Sequence, residues 1–373
     1  MRLKMRITYN LKKLSLVLVL LLLNGCGMVS YYNQSIQGQL SILYNREDID
    51  SIINDTETDE ALKEKLKQVK TIRQYASDAL LLPRNKSYLY YTDLHRPYVV
   101  WNVFAAPEFS LEPITWCYPI VGCVSYRGYF AENNAAEHSR QLSSEGNDSH
   151  VAGIAAYSTL GWFNDPLLNT MTHWPERSLA GLIFHELTHQ VIYISNETGF
   201  NEAFASAVER IGSIQWLIEK NPAQLPHYLN YLNAQNDFRN LLSETRSTLN
   251  TLYLSDNTNE EKRRGKALII QKMQNEYTTL KQQWPDTIHF DSWFKKPVNN
   301  ARFTSSMTYL RQIPAFYTLY LEANGDWELF YNNVKQMESL EREERNKLIN
   351  SKLDNNFDLN QIVTLIKAKQ SNI

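Results

Sequence analysis

The sequence predicts an α+β protein, mostly helical, with a small mixed sheet set beside a two-helix core. Three observations carry this expectation. Helical periodicity fills residues 30–82 and nearly everything beyond Pro222, whereas β-branched and aromatic runs gather between Ser87 and Phe163. Between these regions lies His185-Glu186-Leu187-Thr188-His189, followed at short range by Asn201-Glu202-Ala203-Phe204-Ala205.

Residues 1–25 read as a signal peptide. Arg2, Lys4, Arg6, Lys12 and Lys13 precede the apolar run Leu14–Leu23, which is too short to span a bilayer. Leu23-Asn24-Gly25-Cys26 resembles the bacterial lipobox, although Asn24 is unusual at its place there, so Cys26 is expected to carry lipid. An uncleaved anchor would tether the body as well. Each buried acyl CH₂ contributes about 0.8 kcal/mol, so several chains hold a protein firmly to a membrane. In the lipoprotein resemblance, Gly27 after Cys26 favours the outer membrane, facing the periplasm. Of 38 basic and 40 acidic residues, five basic ones and no acid lie in this leader, leaving a net charge of −7 for the rest. That balance points away from nucleic acid.

The remainder divides into residues 26–86, a helical bracket; 87–220, the sheet with the zinc-binding core; and 221–373, a helical region packed as one unit with that core. In the bracket, Tyr31–Tyr44 is helical through Ile36, Leu40, Ile42 and Leu43. A second helix runs from Glu57 to Leu82 and stops at Pro83. Strands are expected at Tyr88–Tyr91, Tyr98–Ala105, Ile120–Phe130 and Val151–Leu160. In an oxidising compartment Cys117 and Cys123, separated by a gap holding Pro119 and Gly122, can close a small disulfide loop or stay as buried thiols. Neither is needed as a zinc ligand. Glu137, His138 and His150 fall in a polar connector, read as a solvated loop rather than a second metal site. Residues 175–194 form the first zinc helix and 200–219 the second. Leucine stripes on either side of the polar turn Ser255–Glu260 make a helical hairpin, a helix covers Ala301–Ile313, and further helices follow Asp326.

The chemistry follows from spacing. Residues four apart on a helix lie one turn above each other, so His185 and His189 can face one metal ion while Glu186 reaches a metal-bound water. A catalytic zinc site takes three protein ligands and keeps one position open. Glu202, brought back by a turn at Ser195–Gly199, is the expected third. Zinc acidifies water and polarises a carbonyl, and Glu186 would act as the general base. Two histidines on one helix face can also be hydrogen-bonded core residues, and the five-residue motif arises by chance in roughly 1% of chains this long. The apolar run before it and the acidic helix after it favour the zinc site.

These residues resemble the gluzincin metallopeptidases, in which a helical Asn-Glu supplies the third ligand. More closely, the chain resembles a family of bacterial lipoproteins described as zinc aminopeptidases. The resemblance extends to Gly122–Phe130, Ala156–Trp162 and Asn299–Arg302, and so covers nearly the whole chain after the leader. It implies a zinc-dependent peptidase acting on peptides, with aminopeptidase activity. It also implies an edge strand that pairs with extended substrate, first at Ala155–Leu160 with Tyr157, Ser158 and Thr159, and second at Val124–Phe130. Tyr309 or Arg302 would stabilise the oxyanion, though Tyr309 could equally be a packing residue. An aminopeptidase needs a carboxylate for the substrate ammonium, and Glu132, Glu137, Glu197 and Glu209 are unranked for that role. Two departures stand out. Only 12 residues, 190–201, separate His189 from Glu202, and Ser206 stands where some gluzincins carry an acidic partner to the ligands, a place Glu209 could fill instead. An endopeptidase acting on envelope proteins and a non-catalytic zinc-stabilised scaffold are the alternatives. A peptidoglycan hydrolase finds no further motif.

Overall fold

A computed structural model of the chain describes residues 31–118, 122–156, 159, 163–307, 310–354 and 357–371. It is mostly helical with small sheets of two and three strands, an α+β architecture. The lipidation candidate Cys26 lies outside the described residues.

Helix α1 covers 31–44, with β1 (Glu47–Asp48) and α2 (Ile49–Asn54) behind it. The next helix, α3 (Glu60–Asp78), starts three residues later than the sequence suggests. Its start is set by Asp59, whose side chain accepts from the Leu62 N–H and so satisfies one of the orphan donors of the first turn. Leu66, Val69 and Ile72 on its inner face are fully buried. Truncating one such leucine to alanine removes about 2–5 kcal/mol.

The strands are mostly shorter than expected and partly displaced, although β3 keeps the expected length. They are β2 (Tyr90–Thr92), β3 (Val100–Pro107), β4 (Trp116–Tyr118), β5 (Gly122–Val124), β6 (Arg127–Tyr129), β7 (Asn147–Ile154) and β8 (Leu167–Leu168). Central β3 pairs antiparallel with β6 and β7, and β2 joins antiparallel β1 to parallel β8. Gly122 and Ser125 break the long run expected at Ile120–Phe130: β5 turns back on β4, and β6 leaves to pair with β3. Cys117 and Cys123 sit opposite each other in the β4–β5 register and are joined by a disulfide.

The polar connector is not a loop. Between β6 and β7 the chain forms helix α4 (Glu132–Ser144), which buries Ala135 and Leu142 against Trp101, Val103 and Tyr129. His138 belongs to that helix and His150 to β7. After a short helix α5 (Asn169–Thr172) come the two central helices, α6 (Glu176–Thr188) and α7 (Thr198–Lys220).

The expected helical hairpin is α8 (Leu225–Leu254) and α9 (Asn259–Lys281), turned by a Thr258/Glu261 capping box. With the short helix α10 (Asp291–Phe294) and α11 (Asn300–Met307) it encloses a second apolar cluster around Phe238, Tyr277, Trp284 and Phe303. A single helix over Ala301–Ile313 does not form. The chain re-enters helix as α12 (Ile313–Glu322) with Pro314 in its first turn, where a missing N–H leaves nothing unbonded. Then follow α13 (Trp327–Gln336), α14 (Arg342–Ser351) and α15 (Asn360–Gln370). Residues of α3, α6, α7, α12, α13 and α15 share the larger core. Among the described residues no helix is long and apolar enough to cross a membrane.

Candidate metal centre and active site

Helix α6 opens behind Pro175 with Glu176 in its first turn, where a carboxylate suits the positive end of the helix. Leu179, Ile183, Phe184 and Leu187 are fully buried, and this stripe turns His185 and Glu186 toward the opposite face. The helix is shorter than the 175–194 expected from sequence: His189 is its C-cap, and the next residues form a turn. Asn201 draws the chain out of helix by accepting from the Ile194 N–H (2.9 Å) and donating to its carbonyl (2.8 Å). The turn passes through Asn196 in the left-handed region (φ 61°), a conformation asparagine tolerates.

This turn folds α7 back along α6 and sets Glu202 against both imidazoles. Its Oε2 is 3.3 Å from His185 Nε2, and its Oε1 is 3.5 Å from His189 Nε2. Three potential ligand atoms from these residues lie within 4.8 Å of one another, so the group could hold a metal ion. Donors that bind a tetrahedral ion at about 2.0–2.1 Å are themselves about 3.4 Å apart. The Nε2–carboxylate spacings match that edge better than the 2.7–2.9 Å of a charge-assisted hydrogen bond. Among the described residues the buried His189 Nδ1 has no hydrogen-bond partner, so that ring is held by packing and by what lies at its Nε2. Glu202 keeps a third of its side-chain surface exposed, which leaves the cluster open on one side.

Glu209, two turns beyond Glu202, places Oε2 3.1 Å from His185 Nδ1. A carboxylate on the far nitrogen fixes the tautomer and frees Nε2 for an ion. Gly181 makes room for it: a Cβ there would stand 3.3 Å from Glu209 Cγ and 3.4 Å from its Oε1. Ser206 does not take this place.

The electrostatics agree with the geometry. Burial opposes the charge on His185, but hydrogen bonds to Glu202 and Glu209 outweigh it and raise its pKa well above the usual histidine value. Burial, then the charge of His185, pushes His189 down to about 4. Burial lifts Glu186 to about 7 against the pull of His185, with help from Glu202 and Asp165. The cluster therefore demands positive charge, and Glu186 can exchange a proton near neutrality.

The other site residues expected from sequence fare differently. Strand β7 ends at Ile154, so the edge strand placed at Ala155–Leu160 does not continue among the described residues. Thr159 instead spends its N–H and hydroxyl on the Asp165 carboxylate, at 2.9 and 2.8 Å. Tyr157, Ser158 and Tyr309 lie outside the described residues. Arg302 stacks over the Trp293 ring at 4.8 Å and donates to the Trp293 carbonyl. Glu197 is paired with Arg342 (3.1 Å) and Arg345 (3.5 Å), and Glu137 with Arg140, so neither is free to hold an ammonium group. Glu132 is exposed in the first turn of α4. Asp165, 5% exposed, was not singled out by sequence reasoning: it sits 21 positions before Glu186, with no periodic signal linking them.

The family model described as "Putative aminopeptidase" matches residues 30–349. No curated protein and no solved structure matches the chain.

Proposed function

Because the chain belongs to the putative aminopeptidase family, we propose that it is a zinc-dependent peptidase, specifically an aminopeptidase. The observation that carries the metal is the convergence of both Nε2 atoms on the two oxygens of Glu202. Two neutral imidazoles and one carboxylate are a donor set that suits zinc and, as three ligands, that of a catalytic rather than a structural site. The chemistry a bound zinc ion supplies is acidification of water and polarisation of the scissile carbonyl.

Everything else is performed by the chain. Glu186, beside His185 and half-buried, accepts the proton of the attacking water and returns it to the leaving amine. Glu209 keeps His185 in one tautomer. Thr159 and the Tyr88 N–H, which donates to the Asp165 carbonyl, fix Asp165 near Glu186 and so help to keep that carboxyl protonatable.

The leader carries the proposal of place: a protein held by lipid on Cys26 to the cell envelope, at the outer membrane and facing the periplasm. The Cys117–Cys123 disulfide supports an oxidising compartment of this kind.

The test is hydrolysis of free and N-acetylated aminoacyl and peptidyl fluorogenic substrates by the purified chain, with zinc, with a chelator, and with Glu186→Gln at equal zinc occupancy. Cleavage of unblocked substrates alone, abolished by chelator and reduced about 10²–10⁴-fold by the substitution, is the expected result. Cleavage of blocked internal peptides would instead make the protein an endopeptidase. Bound zinc without any cleavage would make it a zinc-stabilised scaffold.

A further inference from the structure

Beside the donor cluster, α6, α7 and α8 enclose a cavity of about 460 Å³, reached by His185, Glu186 and Glu209 on one side and lined by Arg177, Tyr228 and Tyr231 on another. Its size suits one or two residues of a peptide. Arg177 stands on α6 two turns before His185, so it occupies the same helix face. Its guanidinium lies over the Tyr228 ring at 4.8 Å and the Tyr231 ring at 5.3 Å. Among the described residues, its N–H groups have no hydrogen-bond or ion-pair partner. A guanidinium stacked on rings is held by its face, which leaves the in-plane donor fork to meet a carboxylate in bidentate fashion.

Glu209 and Arg210, two other charged groups of the cavity, are already engaged. Glu209 is held at His185 Nδ1, and Arg210 donates to the Tyr317 hydroxyl (3.3 Å) and to Gln235 Oε1 (2.6 Å). Within the cavity two arginines offset Glu186 and Glu209. An incoming carboxylate therefore meets no net negative charge, and one unbonded cation.

We propose that this cavity is a carboxylate-binding subsite in which Arg177 takes an acidic group of the peptide close to the scissile bond. The proposal rests on the peptidase reading above. In an aminopeptidase the residue before the bond carries the ammonium, and the carboxylate is assigned to the leaving part, after the bond. It is either the free C-terminus of a dipeptide or an acidic side chain directly after the bond.

Two pairs of substrates distinguish those sources: alanyl-alanine against its C-terminal amide, and C-amidated alanyl-aspartyl-alanine against the asparaginyl peptide. The purified full chain should favour the acid in at least one pair by about tenfold or more in kcat/KM, the effect of one charge-assisted hydrogen-bond pair. Arg177→Gln should bring that ratio close to one. Arg177→Glu should reverse it toward a lysyl peptide, and this gain of a new preference cannot come from a misfolded chain. Equal rates within both pairs, or a preference that survives Arg177→Gln, would overturn the subsite. Calorimetric binding of the same peptides to Glu186→Gln reads the subsite without turnover. An acid preference in binding that Arg177→Gln removes would uphold the subsite even if the protein hydrolysed nothing, and no preference there would end it.

Discussion

Four of the buried or half-buried histidines fall into two pairs, and these face opposite surroundings. His185 and His189 look onto Glu202, with Glu209 behind His185. His138 packs against the rings of Trp116 (6.0 Å) and Tyr129 (5.8 Å), and its pKa is lowered by burial and then by Arg127. His150 is pushed down to about 4 by burial, then by Arg302 and Lys296. Carboxylates make the first pair a place for a cation, whereas guanidinium and ammonium groups make the second a place for neutral imidazole. Histidine content and burial therefore do not single out a metal centre. The sign of charge on the elements packed against it does.

The largest expected contrast is in metal affinity. Replacing Glu202 with Gln, or His189 with Ala, should weaken zinc binding in chelator competition by more than about 100-fold, since loss of a ligand exceeds the 10–100-fold typical of outer residues. His150→Gln should leave it within about twofold. A loss of zinc in His150→Gln comparable to that in Glu202→Gln would erase the distinction between the pairs.

A smaller effect is expected at Glu209. Its replacement by Gln keeps a hydrogen-bond acceptor but removes the charge behind His185, so zinc affinity should fall by about 10–100-fold. Unchanged affinity, read by the same competition, would reduce Glu209 to a packing residue.

The smallest expected effect is a pH dependence of stability at His150. Above pH 6.5 His150 is neutral whether the chain is folded or not. As pH falls from 6.5 toward about 4, the unfolded chain takes a proton that the folded chain refuses, so stability declines across that window and this contribution levels off below it. Urea unfolding midpoints from pH 7 to 4 should fall less steeply in His150→Gln than in the parent. Parallel pH profiles would mean that His150 is not held neutral by the fold.

What could be read from sequence was local. The i, i+4 pair and the returning Asn-Glu belong to one helix face and one turn, and spacing alone reports both. Helix α4 escaped because Ala135 and Leu142 are its only buried residues, too few to print a period. Helix α6 looked longer because Val191, Ile192 and Ile194 continue the apolar run, while the Asn201 side chain that halts it acts from seven residues beyond. Asp165, Arg177 and Tyr228 reach the site through packing of separate elements, which no periodicity within one element records. The aromatic run before α6 reads as a strand, yet Thr159 is committed to Asp165 instead of a ladder.

The clasp between Asn201 and Ile194 has a consequence for assembly. All three donors fall between positions 185 and 202, so only a short segment has to close for them to meet. The entropy lost on closure grows with the logarithm of segment length, and segments of about ten residues close in roughly 10–100 ns. Capture of a metal ion by this segment would need no other part of the chain in place. The captured ion would then hold α6 against α7 while β3, α8 and α12, supplied by distant stretches, are still searching for their places.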